Sequence, residues 1–99
     1  MPFENHGNRA FTMISVDKNA PAASGVYGLS DARQWIYVGQ TNNIQAELFK
    51  LLQSPNAFLA QHAPSGFTFE LSPAEHRRER QNRLVFELEP IGNRTIGKL

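Results

Sequence analysis

The chain has 99 residues, of which 40% are hydrophobic and 19% charged, with a formal net charge of +1. That length accommodates one domain with a modest core, and no apolar run is long enough to cross a membrane. Cysteine is absent, which excludes disulfide frameworks, thiolate zinc sites and cysteine nucleophiles and leaves stability to packing.

The opening Met1-Pro2-Phe3-Glu4-Asn5-His6 has neither the basic nor the apolar stretch of a secretory signal, so a cytoplasmic protein is expected. Residues 1–18 read as a leader, unpatterned as far as Arg9 and then alternating from Phe11 to Asp17 as a short extended segment. Asn19 to Ser24 is a connecting loop, because Pro21 cannot donate to a sheet ladder. Residues 25–29 and 35–39 are rich in β-branched and aromatic side chains, and Ser30-Asp31-Ala32-Arg33-Gln34 supplies turn chemistry between them. The pattern predicts an antiparallel hairpin.

The period then changes. Thr41, Asn42 and Asn43 offer capping oxygens, and Ile44, Leu48, Leu51 and Leu52 recur at helical spacing, predicting an amphipathic helix that ends near Ser54. A helical turn around Ala57 to Gln61 precedes the breaker run Pro64-Ser65-Gly66. Phe67-Thr68-Phe69-Glu70-Leu71 alternates strictly and predicts a third strand. Ser72-Pro73-Ala74-Glu75 combines a capping Ser, a Pro at the first helical position and a capping-box Glu. The helix it starts carries an apolar stripe of Leu84, Val85 and Leu88 and ends at Pro90 and Gly92. The expected fold is therefore α/β (α+β): a small three-stranded antiparallel sheet flanked by helices over residues 19–95, with a tail at 96–99. Trp35 and the phenylalanines are assigned to the core, and His6, His62 and His76 are too scattered to hold a metal.

Charge is uneven along the chain. From His76 onward Arg77, Arg78, Arg80, Arg83, Arg94 and Lys98 stand against Glu79, Glu87 and Glu89. This reads either as a phosphate-facing patch or as a solvated helix face with pairs such as Glu79 and Arg83.

Gly25-Val26-Tyr27 and Tyr37-Val38-Gly39, at this spacing, resemble the two tripeptides of the GIY-YIG nuclease family. Gln40-Thr41-Asn42-Asn43-Ile44 has the form of the helix start that follows the second tripeptide, and Pro90 with Asn93 matches the family's ending. The resemblance spans Gly25 to Asn93 and makes Gly25 and Gly39 structural motif positions. It implies a divalent-metal nuclease in which Tyr27 helps to activate water, Tyr37 stands at the second tripeptide's tyrosine, an Arg stabilises phosphate charge and a helical Glu binds the metal.

Two of those positions are changed. The family Arg falls on Glu47, and the metal-binding Glu falls on Gln81, nine residues before Pro90. Gln81 lies at i with Leu84, Val85 and Leu88 at i+3, i+4 and i+7, so its side chain is expected to face the sheet. Glu79, about 200° around the helix from it, is expected to face away. Glu47 reads as a relic neutralising a phosphate site or as a partner of Arg77 or Arg78, with the pairing preferred.

The site thus predicted comprises Tyr27, Tyr37, Glu47 and Gln81, with nucleic-acid contacts from Arg33, Arg77, Arg78, Arg80 and Asn93. Arg33 is also readable as an exposed loop charge, and Asn93 as a cap on the last helix. The expected function is nucleic-acid binding, DNA ahead of RNA, with impaired or lost phosphodiester hydrolysis. The alternatives are an active magnesium- or manganese-dependent endonuclease in which Glu47 or Glu79 holds the metal, and a protein-interaction module using the exposed side of the helix at Phe86.

Overall fold

The computed structural model describes residues 8–93. The expected tail at 96–99, His6, Arg94, Lys98 and the start of the leader lie outside them. In chain order the elements are β1 (Arg9–Ala10), α1 (Met13–Asn19), β2 (Gly25–Ser30), β3 (Trp35–Thr41), α2 (Ile44–Gln53), α3 (Ala57–His62), β4 (Gly66–Leu71) and α4 (Ala74–Leu88).

The sheet is antiparallel with the order β1-β4-β2-β3. It has four strands rather than the expected three, because β1 contributes only two residues, Arg9 opposite Phe67 and Ala10 opposite Gly66. A pairing that short leaves no alternation to read. The expected extended segment from Phe11 to Asp17 is also corrected, because Met13–Asn19 is helical. Thr12 caps it by accepting a hydrogen bond from the Ser15 N–H at 3.2 Å, and buried Val16 and Ala20 lie at i, i+4, a helical spacing hidden in the apparent alternation.

The hairpin forms as read. Asp31 Oδ1 accepts the N–H groups of Arg33 at 2.8 Å and Gln34 at 3.0 Å, a side-chain turn that reverses the chain between β2 and β3. These backbone hydrogen bonds, the Arg33 bond foremost, hold the exposed Asp31 carboxyl below its ordinary pKa.

Alternation along the strands gives the sheet two apolar faces. On one, Tyr27, Leu29, Phe67 and Phe69 pack with Val16, Ile44, Leu48 and Leu59 from the first three helices. On the other, Val26 and Val38 pack against Leu84 of α4, flanked by Trp35, Val85 and Leu88. Leu29, Ile44, Leu48 and Leu84 are fully buried, each contributing about 1.5–3 kcal/mol of transfer free energy. Phe86 departs from the core assignment: it is 83% exposed on the outer side of α4.

Both ends of α4 differ from the reading. Its N-cap is Pro73, with no side-chain capping bond. Ser72 is held by β2's approach instead, donating its N–H to Ser24 O at 3.0 Å and accepting the Ser24 hydroxyl on its carbonyl at 2.6 Å. The left-handed residue that closes the helix is Glu89, with φ of 48°, and not a glycine.

Candidate functional site

The β2–β3 register places Tyr27 opposite Gly39 and Leu29 opposite Tyr37, so both tyrosines rise from the same face of the sheet. Their ring centroids are 6.2 Å apart at an interplanar angle of 45°. Tyr27 lies across Gly39, where a Cβ would come within 2.5 Å of its hydroxyl oxygen. Glycine is required there by close approach. Gly25 is enclosed likewise, since a Cβ would clash with Glu70 O and meet Ile44 Cδ1 at 2.8 Å.

Helix α2 delivers Glu47 to this corner. Asn43 caps it by accepting the Ala46 N–H at 2.9 Å, and the Ile44 N–H donates to Ala23 O at 2.9 Å, fixing the first turn beside β2. The Tyr27 hydroxyl then donates to Glu47 Oε2 at 3.4 Å. Burial, followed by neighbouring Tyr37 and then by the Glu47 charge and hydrogen bond, pushes the Tyr27 hydroxyl far above the ordinary tyrosine pKa. Tyr37 is pushed up as well, by burial and then by Glu47. A tyrosine that is to accept a proton from water needs a neighbouring cation, and here the neighbour is an anion.

A second polar cluster lies on the α4 side. Gln40 pairs with Val26 and so points to the face opposite Tyr27. Its side chain donates to Gln81 Oε1 at 3.2 Å and accepts from Arg77 Nε at 3.1 Å, while Arg77 Nη1 donates to Ser24 Oγ at 3.0 Å. Gln81 Nε2 donates to Val38 O at 3.1 Å. Asn93, buried just beyond α4, accepts the Val38 N–H at 2.7 Å and donates to Val38 O at 2.8 Å. Asn93 is therefore not a helix cap but a two-point clamp on β3.

The predicted residues thus fall into two groups. Tyr27, Tyr37 and Glu47 meet on one face; Gln81 and Arg77 meet on the other, with Gln40 and Ser24 as partners that sequence reading did not assign. The signal for Gln40 was available in strand alternation. The expected pairing of Glu47 with Arg77 or Arg78 is corrected: Arg77 is spent on Gln40 and Ser24, and Arg78 is exposed. Arg33 is exposed in the hairpin turn. Arg80 grips Glu70 with two hydrogen bonds, Nε to Oε2 at 2.6 Å and Nη2 to Oε1 at 2.8 Å. Its charge is offset there, across α4 and β4. Glu79 and Arg83, the pair that illustrated the solvated-face reading, both line an open groove of about 480 Å³ with Glu70, Ser72, His76 and Arg80.

Gln81 offers a divalent cation no carboxylate. Gln81 has a neutral amide with both ends engaged, and among the described residues no three of His, Asp and Glu converge on one point. Magnesium and manganese are held through carboxylate oxygens.

No protein-family model and no curated protein matches the sequence. Solved structures do match. The chain is similar to the GIY-YIG N-terminal endonuclease domain of UvrC from Thermotoga maritima bound to magnesium, its catalytic divalent cation, with 18% identity and a TM-score of 0.62 over 76% of this chain and 91% of that one. A point mutant of the same domain bound to its catalytic divalent cation aligns at 17% identity and TM-score 0.63, covering 76% of this chain and 90% of the other. At that identity the likeness establishes architecture and not chemistry. The antiparallel sheet and its flanking helices agree: this chain is a GIY-YIG-like domain in fold.

Proposed function

We propose that the chain is a nuclease-like domain that binds nucleic acid and has lost efficient phosphodiester hydrolysis. The observation that carries the reading is the carboxylate of Glu47 beside the Tyr27 hydroxyl, where the resemblance implies a cation. A negative group there opposes both ionisation of Tyr27 and the approach of a phosphate. Gln81 supports the same reading, because its amide is absorbed into hydrogen bonds with Gln40 and Val38. Glu79, exposed on the groove side of α4, does not replace it.

Nucleic-acid binding is assigned to the exposed basic residues Arg33, Arg78 and Arg83, with DNA the expected partner by likeness to the endonuclease domain. Arg77 and Arg80 have their guanidinium groups engaged within the protein and are expected to contribute less.

The test is nicking of supercoiled plasmid with magnesium and manganese by wild type, Tyr27→Phe and the double variant Glu47→Arg/Gln81→Glu, which restores the family charges. No nicking by wild type is expected. Nicking that Tyr27→Phe abolishes would sink the proposal and make the chain an active enzyme. Duplex binding is read in parallel by fluorescence anisotropy. With about three phosphates neutralised, affinity is expected to fall roughly fortyfold between about 50 and 200 mM salt, and salt-independent or absent binding would remove the nucleic-acid half of the reading.

A further inference from the structure

The corner formed by Tyr27, Tyr37 and Glu47 holds a negative charge that the described residues do not answer. Glu47 has no ion-pair partner among them, and the single hydrogen bond it accepts, from Tyr27, spans 3.4 Å. A hydroxyl donating to a carboxylate ordinarily sits at about 2.5–2.7 Å, and a carboxylate has about four acceptor positions. Most of the acceptor capacity of Glu47 is unused inside the fold.

The surroundings restrict what can use it. Glu47 and Tyr37 are each half-buried, while Tyr27 is 3% exposed and closes the floor over Gly39. The charge is thus shielded on one side and reachable on the other. An anion is repelled there. A cation bearing N–H donors can satisfy the carboxylate, and the half-buried Tyr37 ring, its centroid 6.2 Å from that of Tyr27, adds the π surface that such cations favour. Burial is the larger cause of the raised pKa of both tyrosines, and the Glu47 charge adds to it in each, which places that charge within electrostatic reach of both hydroxyls.

We propose that this corner binds an alkylguanidinium or alkylammonium group, as carried by an arginine or lysine side chain or by a polyamine, at the position where the resemblance implies an Arg that stabilises phosphate charge. One charge reversal, from the family Arg to Glu47, inverts the sign of the ligand. The inference does not rest on nucleic-acid binding through α4: either can fail while the other stands.

The chain contains two tyrosines, so every tyrosine-ring resonance reports this corner. Ring chemical shifts are followed at constant ionic strength while N-acetyl-arginine amide, spermidine, orthophosphate or magnesium is added to the whole chain. Saturable ring shifts are expected with a cationic organic probe, with a dissociation constant on the order of 1 mM. Glu47→Gln should weaken them about tenfold or more, while Glu47→Arg, read in the same way, should lose the cation response and gain one to orthophosphate. A stronger response to the arginine amide assigns the ligand to a protein side chain; a stronger response to spermidine assigns it to a polyamine. Shifts that survive Glu47→Gln with its backbone spectrum intact overturn the proposal. So does a wild-type response to orthophosphate or magnesium alone, or to none of the probes.

Discussion

The tyrosine corner and the Asn93–Gln81 clamp on Val38 occupy opposite sides of the same two strands, and each contains one residue of a type the resemblance does not imply. At the clamp that residue is neutral, and Gln81 is part of the structure: with Asn93 it engages the outward N–H and C=O of Val38. At the corner that residue is charged, and Glu47 is not absorbed, with one long hydrogen bond to show for its position. An amide can be satisfied on all sides by backbone and neighbouring amides. A half-buried carboxylate without a counter-charge within the fold is left to solvent or to a cation from outside it.

Removing Asn93 breaks the comparison most severely. Asn93→Ala leaves the buried Val38 N–H unpaired and is expected to cost about 2–4 kcal/mol in urea unfolding; a loss under about 0.5 kcal/mol would mean that the clamp is not structural. Gly39→Ala acts on the corner. Its Cβ requires Tyr27 to move, for which about 1–3 kcal/mol is expected, together with displaced tyrosine-ring resonances. Unchanged rings would refute the close approach.

Gln81→Glu sharpens the contrast by putting a carboxylate against Val38 O. A loss of about 1–2 kcal/mol at neutral pH is expected, partly recovered on adding magnesium if the new carboxylate creates a cation site. Equal stability of variant and wild type would show that the amide's donor bond carries little.

The smallest effect at neutral pH is that of Glu47→Gln, within about 0.5 kcal/mol because no ion pair is lost. Its signature is alkaline. Both tyrosines have folded-state pKa values above the unfolded value, so the folded chain retains protons that the unfolded chain releases. Stability is therefore intact below about pH 10 and falls above it, by up to about 1.4 kcal/mol per tyrosine per pH unit. Glu47→Gln should lower the tyrosine ionisation midpoint read by absorbance; a midpoint that does not move would separate Glu47 from the corner's electrostatics.

Much of the fold was legible. The hairpin was announced by its residue types and Asp31 turn, α2 by Asn43 and the Ile44-Leu48 spacing, and β4 by the alternation of Phe67, Phe69 and Leu71. Helix α1 was not, because seven residues hold less than two turns of periodicity and Phe11 to Asp17 satisfied a strand template by coincidence. The start of α4 was misplaced by one residue: Pro73 is the N-cap, and Ser72 is tied through its backbone N–H and carbonyl to Ser24, 48 residues away in sequence, a pairing with no local signal.

The same division holds at the candidate site. Sequence alone determined the two tripeptides, and that Glu47 and Gln81 stand where the resemblance implies an Arg and a Glu, since these are matters of residue type and spacing. Only the tertiary structure decided their consequences: that Glu47 meets Tyr27 and not Arg77, that Arg80 is neutralised by Glu70, and that Asn93 clamps Val38 instead of capping a helix. Each of those outcomes is a competition among partners distant along the chain, settled by which face of a strand or helix a side chain leaves from, and pairing of that kind has no local signal to read.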